Sequence, residues 1–296
     1  MVIGSVAFDS VETPHGRVKD ALGGSAVFFS ISARFFNDVD IVACVGEDFP
    51  KKHIELLKRM RIGTKGLEVA RGETFRWKAR YAGDMNAAQT LETHLNVFKD
   101  FVPKIPDNLR DPEYLFLANI DPDLQDDVLS QVKRPRLVGC DTMNHWIMEK
   151  NKELARLIGK VDILFLNDGE ARQLSGESNL LKAAKAIVGM GPRIVIIKKG
   201  EHGVILYSKT TSFMAPAYLL ESVRDPTGAG DSFAGAAMGY LSKVRKIDSA
   251  SLRKAVIYGT ITASFTVEDF SVNGLLRLNR RKIEERCKRF RSLTRF

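Results

Sequence analysis

Cysteine and histidine are scarce in this chain of 296 residues. The three cysteines, Cys44, Cys140 and Cys287, are far apart, and no Cys-x-x-Cys pair occurs. This spacing offers no disulfide framework, and the five histidines show no spacing typical of zinc ligands. We therefore expect free thiols in a reducing, cytoplasmic compartment and no zinc site.

Long apolar runs are also missing, since none approaches the ~18 residues that a membrane span requires. The segment Met1–Phe8 lacks the basic leader of a secretory signal and has the composition of a strand. The P-loop pattern, Gly-x-x-x-x-Gly-Lys followed by Ser or Thr, is absent, and so are the His-Arg-Asp and Asp-Phe-Gly motifs. These absences argue against P-loop enzymes, protein kinases and a membrane partner.

Acidic residues are outnumbered by basic ones, and the formal net charge is +9. Residues 277–296 carry nine basic and two acidic side chains, a surplus of seven, so the rest of the chain is close to neutral. Ile283, Cys287, Phe290 and Leu293 recur there at helical spacing, which predicts an amphipathic C-terminal helix with a basic face. We favour a solvated charged face over an RNA or membrane contact, and expect no nucleic-acid partner.

Strand and helix patterns alternate along the chain. Apolar runs typical of buried strands lie at Met1–Ala7, Asp40–Val45, Tyr114–Ala118, Arg136–Cys140, Val161–Leu166 and Arg193–Ile197. Helical patterns lie at Ser25–Phe36, Lys51–Met60, Leu124–Val132, His145–Ile158 and Leu180–Val188. Unbroken apolar strands that alternate with helices predict a parallel sheet covered on both faces, within a single α/β domain over residues 1–296.

Residues 65–101 break this rhythm. Within them, Thr74–Tyr81 alternates polar and apolar side chains, which is typical of half-exposed antiparallel strands. Such a β excursion can serve as a lid or a subunit contact. Its aromatic residues Phe75, Trp77 and Tyr81 suggest stacking on a ligand, although aromatics on an alternating strand more often pack.

The segment Asp225–Gly235 is the most informative part of the chain. Gly228-Ala229-Gly230 stands between a loop and the predicted helix Ser232–Leu241, where unpaired N–H groups and the helix dipole favour an anion such as phosphate. Asp231 adds a carboxylate that can accept the proton of an attacking hydroxyl. A plain helix cap, with Asp231 complementing the dipole, is the alternative interpretation.

Polar groups also follow several other predicted strands. Asp9 and the pair Gly23-Gly24 can bind sugar hydroxyls, because ligands of α/β sheets sit at the carboxyl ends of the strands. An ordinary turn with a helix cap is the alternative. Asn119 and Asp121, and then Asp141 and Asn144, add polar groups at the same edge of the sheet.

Two further motifs begin where a strand ends. Asn167-Asp168-Gly169-Glu170 is either a capping box or, since one distant carboxylate is sufficient for a hydrated ion, part of a magnesium site. The segment 198–203, which contains Lys198, Gly200 and Gly203, is either a plain β-turn or part of a nucleotide site.

The run Asp225-Pro226-Thr227-Gly228-Ala229-Gly230-Asp231 resembles the signature D-T-x-G-A-G-D of the ribokinase-like, or pfkB, family of sugar and nucleoside kinases. The resemblance extends from about Met1 to Leu276. It implies a three-layer α/β/α fold with a mainly parallel sheet and a β-strand lid, inserted at about residues 10–20 and 65–101. It also implies transfer of the γ-phosphate of ATP to a primary hydroxyl with Mg²⁺, use of K⁺ as in several relatives, and a homodimer formed through the lid strands.

The resemblance assigns roles to individual residues. The catalytic set is Asp231 as the base, with Gly228, Ala229 and Gly230 stabilising charge. The implied substrate contacts are Asp9, Gly23, Gly24, Phe28, Asn119 and Asp121. The implied nucleotide contacts are Asn167, Lys198, Gly200, Gly203, Thr227 and Tyr258. Glu170 would hold Mg²⁺ through water, and Asp225 would help to bind a monovalent cation unless it only caps the helix entry.

Two departures from the family pattern bear on the substrate. Phe28 stands where ribokinases have Asn, which removes a polar partner for ribose and favours an acceptor with an aromatic portion, such as a nucleoside. Phe28 is equally compatible with a helix core. Lys198 stands where Thr is common. We predict a small-molecule kinase for a sugar or nucleoside, with a non-catalytic nucleotide- or sugar-binding sensor on the same fold as the alternative.

Overall fold

The computed structural model describes residues 1–83, 85–244 and 246–295. Asp84 of the predicted lid and Phe296 of the predicted tail lie outside these ranges, as does Arg245. The strands are β1 Val2–Ile3, β2 Ala7–Thr13, β3 Gly16–Gly23, β4 Val39–Gly46, β5 Ile62–Ala70, β6 Phe75–Tyr81, β7 Ala88–His94, β8 Tyr114–Leu117, β9 Leu137–Asp141, β10 Ile163–Asn167, β11 Ile194–Lys198, β12 Val204–Ser208 and β13 Ser212–Ala215.

The helices connect these strands and cover the sheet. They are α1 Ser25–Ala33, α2 Lys51–Arg59, α3 Pro122–Gln131, α4 Asn144–Glu149, α5 Asn151–Ile158, α6 Asp168–Ser175, α7 Leu180–Gly189, α8 Ala229–Lys243, α9 Ser249–Thr266, α10 Asn273–Leu276 and α11 Arg280–Thr294. Within the described ranges, no helix is both long and apolar enough to cross a membrane.

Nine strands form the main sheet, in the order β13-β12-β11-β10-β9-β8-β1-β4-β5. Neighbouring strands from β11 to β5 are parallel, and β12 and β13 are antiparallel at one edge. Helices α1, α8 and α9 pack on one face, and α3, α5 and α7 pack on the other. The inner strands are almost entirely buried because both of their faces are covered. The predicted mainly parallel α/β fold is therefore confirmed.

Two glycines let helix α8 press directly on α1. A Cβ atom at Gly235 would lie 2.2 Å from the carbonyl oxygen of Phe29, and one at Gly239 would lie 2.8 Å from that of Ala33. Contacts this short leave no room for a side chain, so the two backbones approach closely. This packing fixes the axis of α8 and thereby the position of its N-terminus.

The lid is a second sheet of four strands, in the order β3-β2-β6-β7. Its boundaries differ from the prediction, because β5 at Ile62–Ala70 pairs with β4 as the edge of the main sheet. The lid part of residues 65–101 therefore begins at Phe75. The strands were expected to be antiparallel, but β2 and β6 run parallel to each other while the other two pairs are antiparallel.

The first strand is also divided. Met1–Ala7 was predicted as one strand, but only Val2–Ile3 belongs to the main sheet, and the chain then enters the lid at Ala7. Between them, the backbone N–H of Ser5 donates to the Ser25 hydroxyl and that of Ser25 donates to the Ser5 hydroxyl, each at 3.1 Å. This reciprocal pair redirects the chain and carries Asp9 onto the lid.

The predicted helix His145–Ile158 is interrupted at Lys150, whose φ of −130° and ψ of 42° are not helical. The Lys150 ammonium group binds both Asp121 and Asp123, each at 2.7 Å. The interruption thus coincides with an ion-pair cluster that joins this connection to α3.

Helix α11 occupies the basic C-terminal segment. Its apolar side docks through the buried residues Ile283 and Phe290. Arg286 pairs with Glu268 at 2.8 Å and lies over the ring of Phe265, 3.4 Å from its centroid. The segment is therefore an amphipathic helix that packs on the domain.

Candidate active site

The glycine motif forms the N-terminus of α8, as the loop-to-helix pattern predicted. Gly228 is the N-cap residue with a left-handed φ of 74°, and Ala229, Gly230 and Asp231 make up the first turn. The Ala229 N–H donates to the carbonyl of Pro226 at 3.1 Å. Of the three amides predicted to hold an anion, those of Gly228 and Gly230 are therefore the stronger candidates.

Phe28 lies beneath this turn and does not face a ligand space. Its ring is 1% exposed, and a Cβ atom at Gly228 would lie only 2.3 Å from it. Position 228 therefore requires glycine for two reasons: its φ is positive, and the Phe28 ring leaves no room for a Cβ atom. The stacking surface expected from Phe28 is not available, because the ring packs into the core and supports the loop.

Asp231 lies among charged groups from other strand ends. Lys198, the last residue of β11, donates from Nζ to Oδ2 of Asp141, the last residue of β9, at 2.9 Å. Burial, together with the negative charge of Asp141, raises the pKa of Asp231 to about 7, and the Lys198 ammonium group opposes that rise. A carboxyl group with this pKa is suited to accept a proton near neutral pH.

The Asn167–Glu170 motif lies beside Lys198, because Asn167 and Lys198 are register partners in the parallel pair β10–β11. The expected capping box is present: Asn167 Oδ1 accepts from the Glu170 N–H at 2.8 Å, and Glu170 Oε2 accepts from the Asn167 N–H at 2.7 Å. Burial raises the pKa of Glu170 to about 7, although the charge of Lys198 opposes the rise. A buried carboxylate in this state is a suitable partner for a hydrated divalent cation.

Asp9 joins the same group of acids from the lid side. Its carboxylate occupies the space next to Gly23, where a Cβ atom would lie 1.9 Å from Oδ2, and it accepts a hydrogen bond from the backbone of Gly24. Burial raises the pKa of Asp9 to about 7, and the charges of Asp225 and Asp231 add to the effect. Asp9 therefore lies beside Gly23 and Gly24 and within range of the charge of Asp231.

Asp225 and Thr227 anchor the entry to the glycine motif. Asp225 accepts from the Thr227 N–H at 2.9 Å through Oδ1 and from the Ser271 N–H at 3.1 Å through Oδ2. Thr227 Oγ1 donates to the hydroxyl of Tyr81 on lid strand β6 at 3.3 Å. These contacts tie the glycine motif to the lid and to the chain that follows α9.

The chain after Lys198 forms a single turn of 3₁₀ helix at Gly200–His202. Gly200 and Gly203 have positive φ values of 53° and 84°. A Cβ atom at Gly200 would lie 2.5 Å from Oδ1 of Asn86, whose amide also donates to Glu201 at 3.5 Å. The tip of the lid hairpin therefore reaches the turn that the sequence assigned to the nucleotide.

Three residues that were predicted to contact the substrate or the nucleotide bond instead to other side chains of the protein. Asn119 accepts a hydrogen bond from the indole of Trp146 at 2.9 Å, and Asp121 caps α3 and binds Lys150. Tyr258 packs against Phe36 and Tyr240 and donates to Glu284 of α11. The structure does not bring these side chains into contact with the acids around Lys198.

Two further residues, Gln125 and Tyr81, organise the site. Gln125 is fully buried on α3, and its amide donates to the carbonyls of Ala118 at 2.8 Å and Asp141 at 3.1 Å, which joins the ends of β8 and β9. Tyr81 had been considered only for stacking, whereas its hydroxyl contacts Thr227. Neither role has a sequence signal, because both contacts connect residues from separate elements.

Comparison with known proteins gives a consistent result. The family model described as pfkB family carbohydrate kinase matches residues 1–277. A cytidine kinase from Thermococcus kodakarensis is 29% identical over 253 residues, which cover 84% of this chain and 90% of that protein. The solved nucleoside kinase of Methanocaldococcus jannaschii has a TM-score of 0.77 at 22% identity, covering 97% and 98% of the two chains.

A second solved structure is the aminoimidazole riboside kinase of Salmonella enterica, complexed with its riboside and an ATP analogue. It has a TM-score of 0.76 at 19% identity and covers 97% of this chain and 99% of its own. At this identity the likeness supports the fold alone.

The raised pKa of Asp9 predicts that the protein loses stability as the pH rises. In the unfolded chain a carboxyl group has its ordinary pKa near ~4, whereas in the folded protein the pKa of Asp9 is about 7. The folded state therefore binds the proton more tightly in this window, and the free energy of unfolding falls by up to about 1.4 kcal/mol per pH unit for this group. Asp9→Asn should remove that part of the slope.

Urea unfolding at pH 5, 6 and 7 measures this difference. The control is Asp107→Asn, whose carboxylate is 94% exposed and which should keep the wild-type pH dependence. Parallel stability profiles for wild type and Asp9→Asn would contradict the prediction.

Proposed function

Because the chain belongs to the pfkB family of carbohydrate kinases and is therefore a phosphotransferase that acts on an alcohol group, we propose that it transfers the γ-phosphate of ATP to a primary hydroxyl of a nucleoside. The observation that carries this proposal is the position of Asp231. Its carboxylate lies in the first turn of α8, next to amides suited to hold a phosphate and within the same group of acids as Asp9.

In the proposed reaction Asp231 accepts the proton of the acceptor hydroxyl. The acceptor oxygen forms a bond to the γ-phosphorus as the bond to the bridging oxygen breaks, and ADP leaves. The amides of Gly228 and Gly230 stabilise the negative charge that develops on the transferred group. Asp9 and the Gly23–Gly24 backbone orient the acceptor hydroxyls, so that the reacting atoms meet in one geometry.

The nucleotide is assigned to the side of the site formed by Asn167, Lys198 and the Gly200–Gly203 turn. Glu170 fits a Mg²⁺ ion held through water, because its carboxylate is buried, has a raised pKa and lies close to further negative charge. When bound, Mg²⁺ supplies positive charge that neutralises the phosphates. We further assign K⁺ to the Asp225 loop, where the buried carboxylate of Asp225 supplies negative charge.

The preference for nucleosides over free sugars has its support in the relatives, which include the cytidine kinase and a nucleoside kinase 27% identical to this chain. The aromatic residues Phe28 and Phe75 add no support. Phe28 is buried in the core, and Phe75 stacks on Phe98. A non-catalytic sensor is disfavoured, since Asp231, the glycine turn and Glu170 are all retained in one site.

Replacing the base should abolish most of the activity. We expect Asp231→Asn to lower kcat by about 10²–10⁴-fold, because an amide cannot accept the hydroxyl proton. Steady-state ADP formation measures the change. The matched control is Asp123→Asn, an acid in the first turn of α3 that is 47% exposed and pairs with Lys150 and Arg156. Near-normal turnover by a folded Asp231→Asn variant would refute the assignment.

A panel of acceptors tests the substrate class. Adenosine, cytidine, inosine, ribose and fructose are each added with an ATP analogue, and the shift in Tm is recorded, since a ligand that binds only the folded state raises Tm. ADP formation with ATP is then measured in potassium and in sodium salts. We expect the nucleosides to raise Tm and to be phosphorylated, faster in potassium. Stabilisation and turnover by fructose alone would contradict the nucleoside assignment, and equal rates in both salts would contradict the K⁺ assignment.

A homodimer formed through the lid is supported by β7, which lies at the edge of the lid sheet and is exposed along its whole length. An unpaired strand edge is a template for pairing with another chain. We expect wild type to sediment as a dimer at micromolar concentration and Leu91→Lys, which changes an apolar residue of β7, to shift the population towards monomer. A monomeric wild type would rule out this interface.

A further inference from the structure

We propose that Lys198 is a phosphate-binding catalytic residue whose ammonium group, held in place by Asp141, contacts the γ-phosphate of ATP. This inference rests on the proposed function, since it requires ATP to bind at the Gly228–Gly230 turn. It goes further by naming which side chain meets the transferred group and what holds that side chain before ATP arrives.

The first observation is the distance from Lys198 to the anion-binding turn. A Cβ atom at Gly230 would lie 3.0 Å from Lys198 Nζ, so the ammonium group borders the backbone of the turn directly. Because Gly230 has no side chain, nothing at this residue separates Nζ from an anion held by the turn. A phosphate there would be within reach of the ammonium group without a change in the backbone.

The second observation is that the hydrogen-bond donors of the Lys198 ammonium group are not all engaged by described residues. It carries three donors, and in the part of the chain that the structure describes its one hydrogen-bond partner is Asp141 Oδ2 at 2.9 Å. Its charge faces three carboxylates, those of Asp141, Glu170 and Asp231. The remaining donors can bind a ligand oxygen while the first is still held by Asp141.

The third observation is the burial of the pair. The side chains of Lys198 and Asp141 are 17% and 6% exposed, and the end of β9 that carries Asp141 is fixed by the buried amide of Gln125. Water therefore screens the ammonium charge only weakly, so its interaction with a phosphate is strong. Asp141 acts through Lys198 and is a positioning residue.

The experiment compares Lys198→Met, Asp141→Asn and the double variant, with Lys160→Met as the control. Lys160 also forms an ion pair, with Asp126 at 2.6 Å, but its side chain is 48% exposed. The measurements are kcat for the preferred acceptor, affinity for ATP and for ADP by calorimetry, and the urea midpoint. The affinity ratio of ATP to ADP reports contact with the γ-phosphate separately from the fold.

For Lys198→Met we expect kcat to fall about 10²–10³-fold and ATP affinity to fall at least roughly tenfold, with ADP affinity retained. Its urea midpoint should also fall, because the charge of Asp141 is left buried and unpaired. The double variant should regain the wild-type midpoint but neither kcat nor ATP affinity. Lys160→Met should match wild type in kcat and in both affinities.

Recovery of kcat and ATP affinity in the double variant would overturn the proposal, since the pair would then serve only the fold. An equal loss of ATP and ADP affinity in Lys198→Met would also overturn it. A wild-type chain that binds ATP but phosphorylates no acceptor refutes the proposed function alone, and the affinity ratio still decides the role of Lys198. A wild-type chain that binds no ATP refutes both.

Discussion

The ion pair between Lys198 and Asp141 is the interaction on which the arrangement of the site depends. Asp141, Glu170 and Asp231 come from three separate elements, and the charge of each acts on Lys198. Burial and the negative charge of Asp141 raise the pKa values of Glu170 and Asp231, and the Lys198 ammonium group opposes both rises. The site therefore carries an excess of negative charge. A divalent cation would reduce this excess, whereas a phosphate is repelled by it.

Close backbone contacts fix the position of the glycine turn that borders these charged groups. Helix α8 is pressed on α1 through Gly235 and Gly239, and its N-terminus rests on the ring of Phe28 at Gly228. The lid is tied to the same turn through Tyr81 and Thr227. The Gly228 and Gly230 amides, which we propose to bind the phosphate, and Asp231, which we propose as the base, are consequently fixed to one helix end. Such an arrangement suits in-line transfer.

Much of the fold could be predicted from the sequence, because buried parallel strands require unbroken apolar runs. The strands around Val42, Leu115 and Leu164 are such runs, and each lies where it was expected. The errors have a common cause. The division of Met1–Ala7, the transfer of β5 to the main sheet and the interruption at Lys150 are all set by contacts with distant residues, which local periodicity does not record. The location of Asp231 beside a helix N-terminus followed from local spacing alone.

The local chemistry is readable from the sequence: a glycine turn that begins a helix with an acid in its first turn, and an Asn-x-x-Glu pair that can cap its own helix. These features depend on neighbours within a few residues, so spacing is sufficient to define them. The folded chain, in contrast, is needed to show that Phe28 supports the turn from the core, that Tyr258 joins α11, and that Lys198 lies between Asp141 and Gly230. Those outcomes depend on which strand ends meet across the sheet, since burial and charge act through space and not along the chain.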